Sequence, residues 1–98
     1  MDITISPKQL DLMKHTIGLT EQTRFERPAR AKIYKAYRNH FSAGAATDDE
    51  LEKLCYLKLC KRHEGKPHKD AKLYYTYVVT QEGADVIKAY TGVTVILD

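Results

Sequence analysis

Apolar positions recur at helical spacing near the start of the chain. Leu10, Met13 and Ile17 lie three or four residues apart, which predicts an amphipathic helix. Residues 6–9, Ser-Pro-Lys-Gln, precede them with the residue types of a capping box and with proline at the first helical position. Gly18 follows, and a glycine with a left-handed backbone commonly ends a helix. The first helix is therefore predicted to end at Gly18.

The middle of the chain predicts two more helices. A third helix is expected from Thr47 to about Leu57, because Thr47 and Glu50 have the spacing of a capping box. Asp48 and Asp49 suit the positive end of its dipole. Before it, residues 29–41 predict a second helix whose apolar side carries Ile33, Tyr34, Tyr37, His40 and Phe41.

Alternation replaces helical spacing in the last third of the chain. Residues 59–63 and the aromatic and β-branched residues 73–79 predict the two strands of a hairpin. Thr80 is the predicted cap of a last helix that ends at Gly92. Residues 93–97 predict a short strand that closes the domain's own small sheet, with pairing to a partner as the alternative.

This order of elements predicts one α+β domain over residues 1–98, with three helices, a β-hairpin, a C-terminal helix and a short strand. No apolar run approaches the roughly 20 residues that span a bilayer. The N-terminal residues lack the basic and apolar regions of a signal peptide. Cys55 and Cys60 alone do not make a disulfide framework. The chain is therefore expected to be cytoplasmic.

Charge is segregated along the chain, whose formal net charge is +3. Residues 24–40 hold six basic side chains against Glu26, a net charge of +5. Residues 61–72 hold five basic side chains against Glu64 and Asp70, a net charge of +3, which leaves −5 for the remainder. Two basic segments on one small domain favour a polyanionic partner.

The predicted elements resemble a winged helix, in which a helix-turn-helix pair is followed by a β-hairpin wing. The resemblance covers roughly residues 47–90. It includes Leu-Lys-Leu-Cys-Lys-Arg over residues 57–62 and a Tyr-rich strand that leads into Thr-x-x-Gly at residues 80–83. Winged-helix proteins often have glycine after the third helix, where the backbone is left-handed. This chain has Lys58 there, so Lys58 is expected to bear strain unless the turn differs.

The chain also resembles short phage and prophage proteins of unknown function. Shared patterns are His-x-x-Gly-Leu at residues 15–19, Tyr-Arg-Asn-His-Phe at residues 37–41, an acidic helix start at Asp48 and Asp49, and Val-Thr-x-x-Gly at residues 79–83. This resemblance implies a phage origin, and thus the host cytoplasm, but no activity.

A nucleic-acid-binding or regulatory role follows from the charge. A helix-turn-helix reads bases with the start of its recognition helix, but residues 48–52 carry four carboxylates there, which repel phosphates. Double-stranded DNA is therefore expected to contact the basic segments, in a strongly salt-dependent mode. The predicted contacts are Arg30, Lys32, Lys35 and Arg38 of the second helix, and Lys61, Arg62, Lys66, Lys69 and Lys72 of the hairpin.

An adaptor or inhibitor that binds a host or phage protein is the alternative function. The acidic start of the third helix, with Asp48, Asp49 and Glu52, would then face a basic surface of that partner. The sequence leaves the oligomeric state open, and a homodimer is compatible with it.

Metal binding and catalysis have weaker sequence support. The spacing of the potential zinc ligands matches no common zinc motif. A metal-dependent nuclease needs convergent carboxylates, whereas Asp48 and Asp49 are neighbours at a helix start and point in different directions. No enzymatic activity, metal or cofactor is therefore predicted. The candidate zinc ligands are Cys55, Cys60, His63 and His68, and the residues of a nuclease-like cluster would be Arg38, Asn39, His40, Asp48 and Asp49.

Overall fold

Three helices and five strands make up the described part of this α+β chain. The computed structural model describes residues 3–20, 32–66, 69 and 72–97. In chain order the elements are α1 (Pro7–Ile17), β1 (Ile33–Lys35), β2 (Phe41–Gly44), α2 (Asp49–Tyr56), β3 (Cys60–Gly65), β4 (Tyr74–Val79), α3 (Gln81–Thr91) and β5 (Thr94–Ile96).

The strands form two separate sheets. The larger is antiparallel with the strand order β2-β4-β3, and the smaller pairs β1 with β5 in parallel. The helices pack against one face of the larger sheet, through contacts of α1 and α3 with β4 and of α2 with β3. The fully buried core residues are Met13, Thr16, Ile17, Leu51, Leu54, Leu59, Tyr77 and Ile87.

Both ends of α1 follow the predicted chemistry. The Ser6 hydroxyl accepts from the Gln9 N–H, and the Gln9 side chain accepts from the Ser6 N–H, so the predicted capping box is confirmed. Gly18 ends the helix with a φ of 79°. A Cβ at Gly18 would strain this left-handed backbone, and it would also displace the exposed Tyr37 ring, which lies 2.5 Å from that position.

The prediction of a second helix over residues 29–41 is wrong. Ile33–Lys35 is a strand in which only Tyr34 is buried, and residues 29–31 lie outside the described residues. The same aromatic and β-branched residues suit a strand, and pairing with β5 decides between the two conformations. Tyr37, which a helix would have placed in the core, is 77% exposed.

Without that helix, the predicted helix-turn-helix pair is absent from the continuous described segment 32–66. Two strands precede α2 there. The hairpin of β3 and β4 is confirmed, with Arg62 opposite Tyr77 in its register. The last strand pairs with β1, as predicted for a strand that closes the domain's own sheet.

The N-cap of α2 is Asp48 and not the predicted Thr47. The Asp48 carboxylate accepts from the Leu51 N–H at 3.0 Å. A carboxylate one residue closer to the helix serves both as cap and as a favourable charge at the dipole. The predicted caps of α3 are confirmed, with Thr80 at its start and Gly92 at its end.

The turn after α2 has the left-handed backbone that the sequence indicated. Lys58 has a φ of 66°, and among the described residues it is the only one besides glycine with a positive φ. Its carbonyl accepts from the Thr80 hydroxyl at 2.7 Å, which holds the turn against the start of α3.

Lys58→Gly is therefore expected to stabilise the protein by about 0.5–1 kcal/mol, because a left-handed backbone strains a residue with a Cβ. Urea unfolding measures the change. The control Lys61→Gly removes the same side chain from a strand and should destabilise by a similar amount. Equal losses in both variants would show that Lys58 bears no strain.

Among the described residues, no helix is long and apolar enough to cross a membrane.

Candidate nucleic-acid interface

One face of the larger sheet is open and polar. Side chains alternate between faces along a strand, so Lys61 and His63 of β3 lie on the face opposite Cys60 and Arg62. Thr76 pairs with His63 on one side and with Ser42 on the other. This surface, the open face, is the one that α1, α2 and α3 do not cover.

A shallow groove of about 510 Å³ crosses the open face toward the hairpin tip. Tyr74 is 47% exposed there, as the alternation of residues 73–79 predicts. An exposed aromatic ring beside cations can stack on a nucleobase. The groove is lined by Ser42, His63, Glu64, Gly65, Lys66, Tyr74 and Thr76.

Four lysines lie along the hairpin, and one of them, Lys66, lines the groove. All four are exposed, and none takes part in an ion pair among the described residues. Exposed cations that share one hairpin create a positive field that attracts anions. We name this set the hairpin lysines: Lys61, Lys66, Lys69 and Lys72.

Arg62, predicted to join them, lies on the opposite face and is paired within the domain. Its guanidinium lies 2.7 Å from Glu52 and 2.9 Å from Glu64. It also lies 5.4 Å from the centre of the Tyr75 ring. These contacts hold α2 against β3 and leave Arg62 less available to phosphates than the hairpin lysines.

The same network engages the acidic start of α2. The buried Tyr77 hydroxyl donates to Glu52 at 2.6 Å and accepts from the Asp48 N–H at 3.2 Å. Burial and the hydrogen bond to Glu52 raise the pKa of Tyr77 to about 12. The Asp48 side chain caps α2. Of the three carboxylates predicted to bind a protein, Asp48 and Glu52 are half-buried and Asp49 is exposed.

The other predicted basic contacts do not gather on one surface. Arg30 lies outside the described residues. Lys32 and Lys35 lie at the small sheet, where Lys35 is exposed. Arg38 donates from Nη2 to the His15 carbonyl at 2.7 Å, at the end of α1. The hairpin lysines therefore share one hairpin of the larger sheet, whereas Lys32 and Lys35 belong to the small sheet and its start.

The motif at residues 37–41 joins β4 to α1. The Asn39 amide pairs with both backbone groups of Val79, at 2.9 Å and 2.7 Å. The His40 N–H donates to the Thr16 carbonyl. Asn39 thereby pairs with β4 as a strand residue would, just before β2, so Asn39 has a structural role in the motif.

Burial raises the pKa of both cysteine thiols. Cys60 is buried, and burial raises the pKa of its thiol to about 12. Cys55 is half-buried. His68 lies outside the described residues, and the described residues hold no group of three or more side chains placed to bind a metal ion.

Sequence reasoning missed His63, Ser42 and Thr76 as parts of a surface. Alternation along residues 60–65 was the available signal, since it separates Lys61 and His63 from Arg62. The position of Ser42 could not be predicted, because it depends on the strand β2, which the sequence analysis did not predict.

Comparisons of this chain with models of protein families, with curated proteins and with solved structures found no match.

Proposed function

We propose that this chain binds nucleic acid through the open face and the hairpin tip. The observation that carries the proposal is that the four hairpin lysines are exposed and form no ion pair within the described residues, on the hairpin that also exposes Tyr74. The hairpin serves as the wing that the sequence predicts, and contacts to phosphates supply most of the affinity. Such a protein would act as a small regulatory protein of a phage.

The rival function, a protein-binding adaptor, has less support. Its predicted surface depends on Asp48, Asp49 and Glu52. Glu52 is bonded to Tyr77 and Arg62, and the Asp48 carboxylate caps α2. A partner would have to compete with these internal bonds, whereas the hairpin lysines have no such competitor among the described residues.

Fluorescence anisotropy tests the proposal with a labelled mixed-sequence duplex and a single strand of the same length. Binding is expected to saturate and to weaken as salt rises. Four phosphate contacts give a slope of log K against log salt of about −3.6 for the duplex and −2.8 for the single strand. The absence of saturable binding to both probes at about 50 mM salt would contradict the proposal.

A further inference from the structure

A second, smaller pocket adjoins the open face at the end of α1. Its volume is about 300 Å³, and it shares Ser42 with the groove. It is lined by His15, Arg38, His40, Phe41 and Ser42. None of these described lining residues is a carboxylate, and four of the five side chains can donate a hydrogen bond.

One hydrogen-bond donor of Arg38 has no partner among the described residues. Its Nη2 donates to the His15 carbonyl, but its Nε is buried and has no hydrogen-bond partner among the described residues. An unsatisfied buried N–H is costly, and the cost is greater for a charged group. An anion oxygen that accepts from the Nε–H itself would remove that cost, and a planar guanidinium can bind two oxygens of one phosphate through Nε and an Nη together.

The end of a helix ordinarily repels anions, because its last carbonyls carry partial negative charge. Here those carbonyls are already satisfied. The Lys14 carbonyl accepts from the Leu19 N–H, and the His15 carbonyl accepts from the Gly18 N–H and the Arg38 guanidinium. The Thr16 carbonyl accepts from the His40 N–H, and the Ile17 carbonyl accepts from the Tyr34 hydroxyl. These bonds reduce the repulsion between the helix carbonyls and an anion. The hydrogen-bond donors that line the pocket therefore favour an anionic ligand.

We propose that this pocket binds a phosphate group, with Arg38 as its principal donor and His15, His40 and Ser42 around it. The phosphate belongs either to a nucleic-acid backbone or to a free phosphate compound. In the first case the site is part of the proposed function and rests on it. In the second case the pocket acts independently of nucleic acid.

Titration with inorganic phosphate, followed by NMR of the histidine side chains, tests the site. At fixed pH and ionic strength, the resonances of His15 and His40 should shift saturably, whereas those of His63 in the groove should not. His40→Ala should weaken phosphate binding about tenfold, because a charge-assisted hydrogen bond is lost. The fold should persist, since the structural bond of His40 comes from its backbone.

Lys88→Ala is the control, because it removes an exposed cation from α3 that does not line the pocket, and it should leave phosphate affinity unchanged. Equal shifts of all three histidines, or unchanged affinity in His40→Ala, would overturn the proposal. A short oligonucleotide then identifies the source. If it competes with phosphate at His15 and His40, the pocket takes a backbone phosphate. If phosphate binds there while no oligonucleotide binds to the protein, the pocket stands and the proposed function fails.

Discussion

Replacing the hairpin lysines together by glutamine is expected to weaken duplex binding at least a hundredfold at about 0.1 M salt. Each phosphate contact contributes about −0.9 to the slope of log K against log salt. Loss of four contacts should therefore flatten that slope by roughly 3–4. The effect is local, because Lys61, Lys66, Lys69 and Lys72 are exposed and form no ion pair among the described residues.

A variant with the same change in net charge controls for long-range attraction. Lys8, Lys14, Lys35 and Lys88 lie on α1, β1 and α3, away from the hairpin, and their replacement by glutamine should change affinity less than fivefold. Equal losses in the two variants would show that net charge attracts the nucleic acid and that the hairpin is no specific interface. Circular dichroism of both variants checks that the fold is retained.

The elements predicted correctly are those whose signals are local. The caps at Ser6 and Thr80 and the stops at Gly18 and Gly92 depend on residues a few positions apart. The strand at Ile33–Lys35 depends on β5 at the far end of the chain. Its residues fit both helical spacing and strand propensity. Pairing with β5 determines the strand conformation, and nearby residues in the sequence do not reveal that pairing.

The candidate site divides in the same way. The sequence locates the cations but does not show which carboxylates reach them. Lys61 and Arg62 are neighbours, yet Arg62 is paired with Glu52 on another element and Lys61 faces outward. Arg38 likewise required the contact with His15 before its place at the end of α1 could be recognised. Long-range pairing, and not composition, therefore separates Arg62 from the hairpin lysines, which remain the candidates for the proposed interface.

Gly83→Ala should destabilise the protein by about 2–3 kcal/mol and lower its Tm by roughly 10–20 °C. Helix propensity alone predicts the opposite, a gain of about 1 kcal/mol, because Gly83 lies within α3. Packing around Gly83 is expected to outweigh this gain, so that the substitution lowers the free energy of unfolding. A Cβ at Gly83 would clash with the Leu59 carbonyl oxygen and would lie 2.8 Å from the Val79 side chain. That oxygen also accepts from the Thr80 N–H, so any movement that relieves the clash weakens this bond.

The Thr-x-x-Gly pattern thus has a structural cause, namely the close approach of α3 to the turn that follows α2. Gly65→Ala is the matched control. A Cβ there would meet nothing within 4 Å and the backbone needs no positive φ, so the free energy of unfolding should change by less than about 0.5 kcal/mol. Thermal and urea unfolding of both variants measure the difference. If Gly83→Ala is stabilising, helix propensity dominates and α3 does not depend on close contact with Leu59. If it destabilises as expected while Gly65→Ala is neutral, the glycine is required by the contact that fixes the hairpin's base against α3.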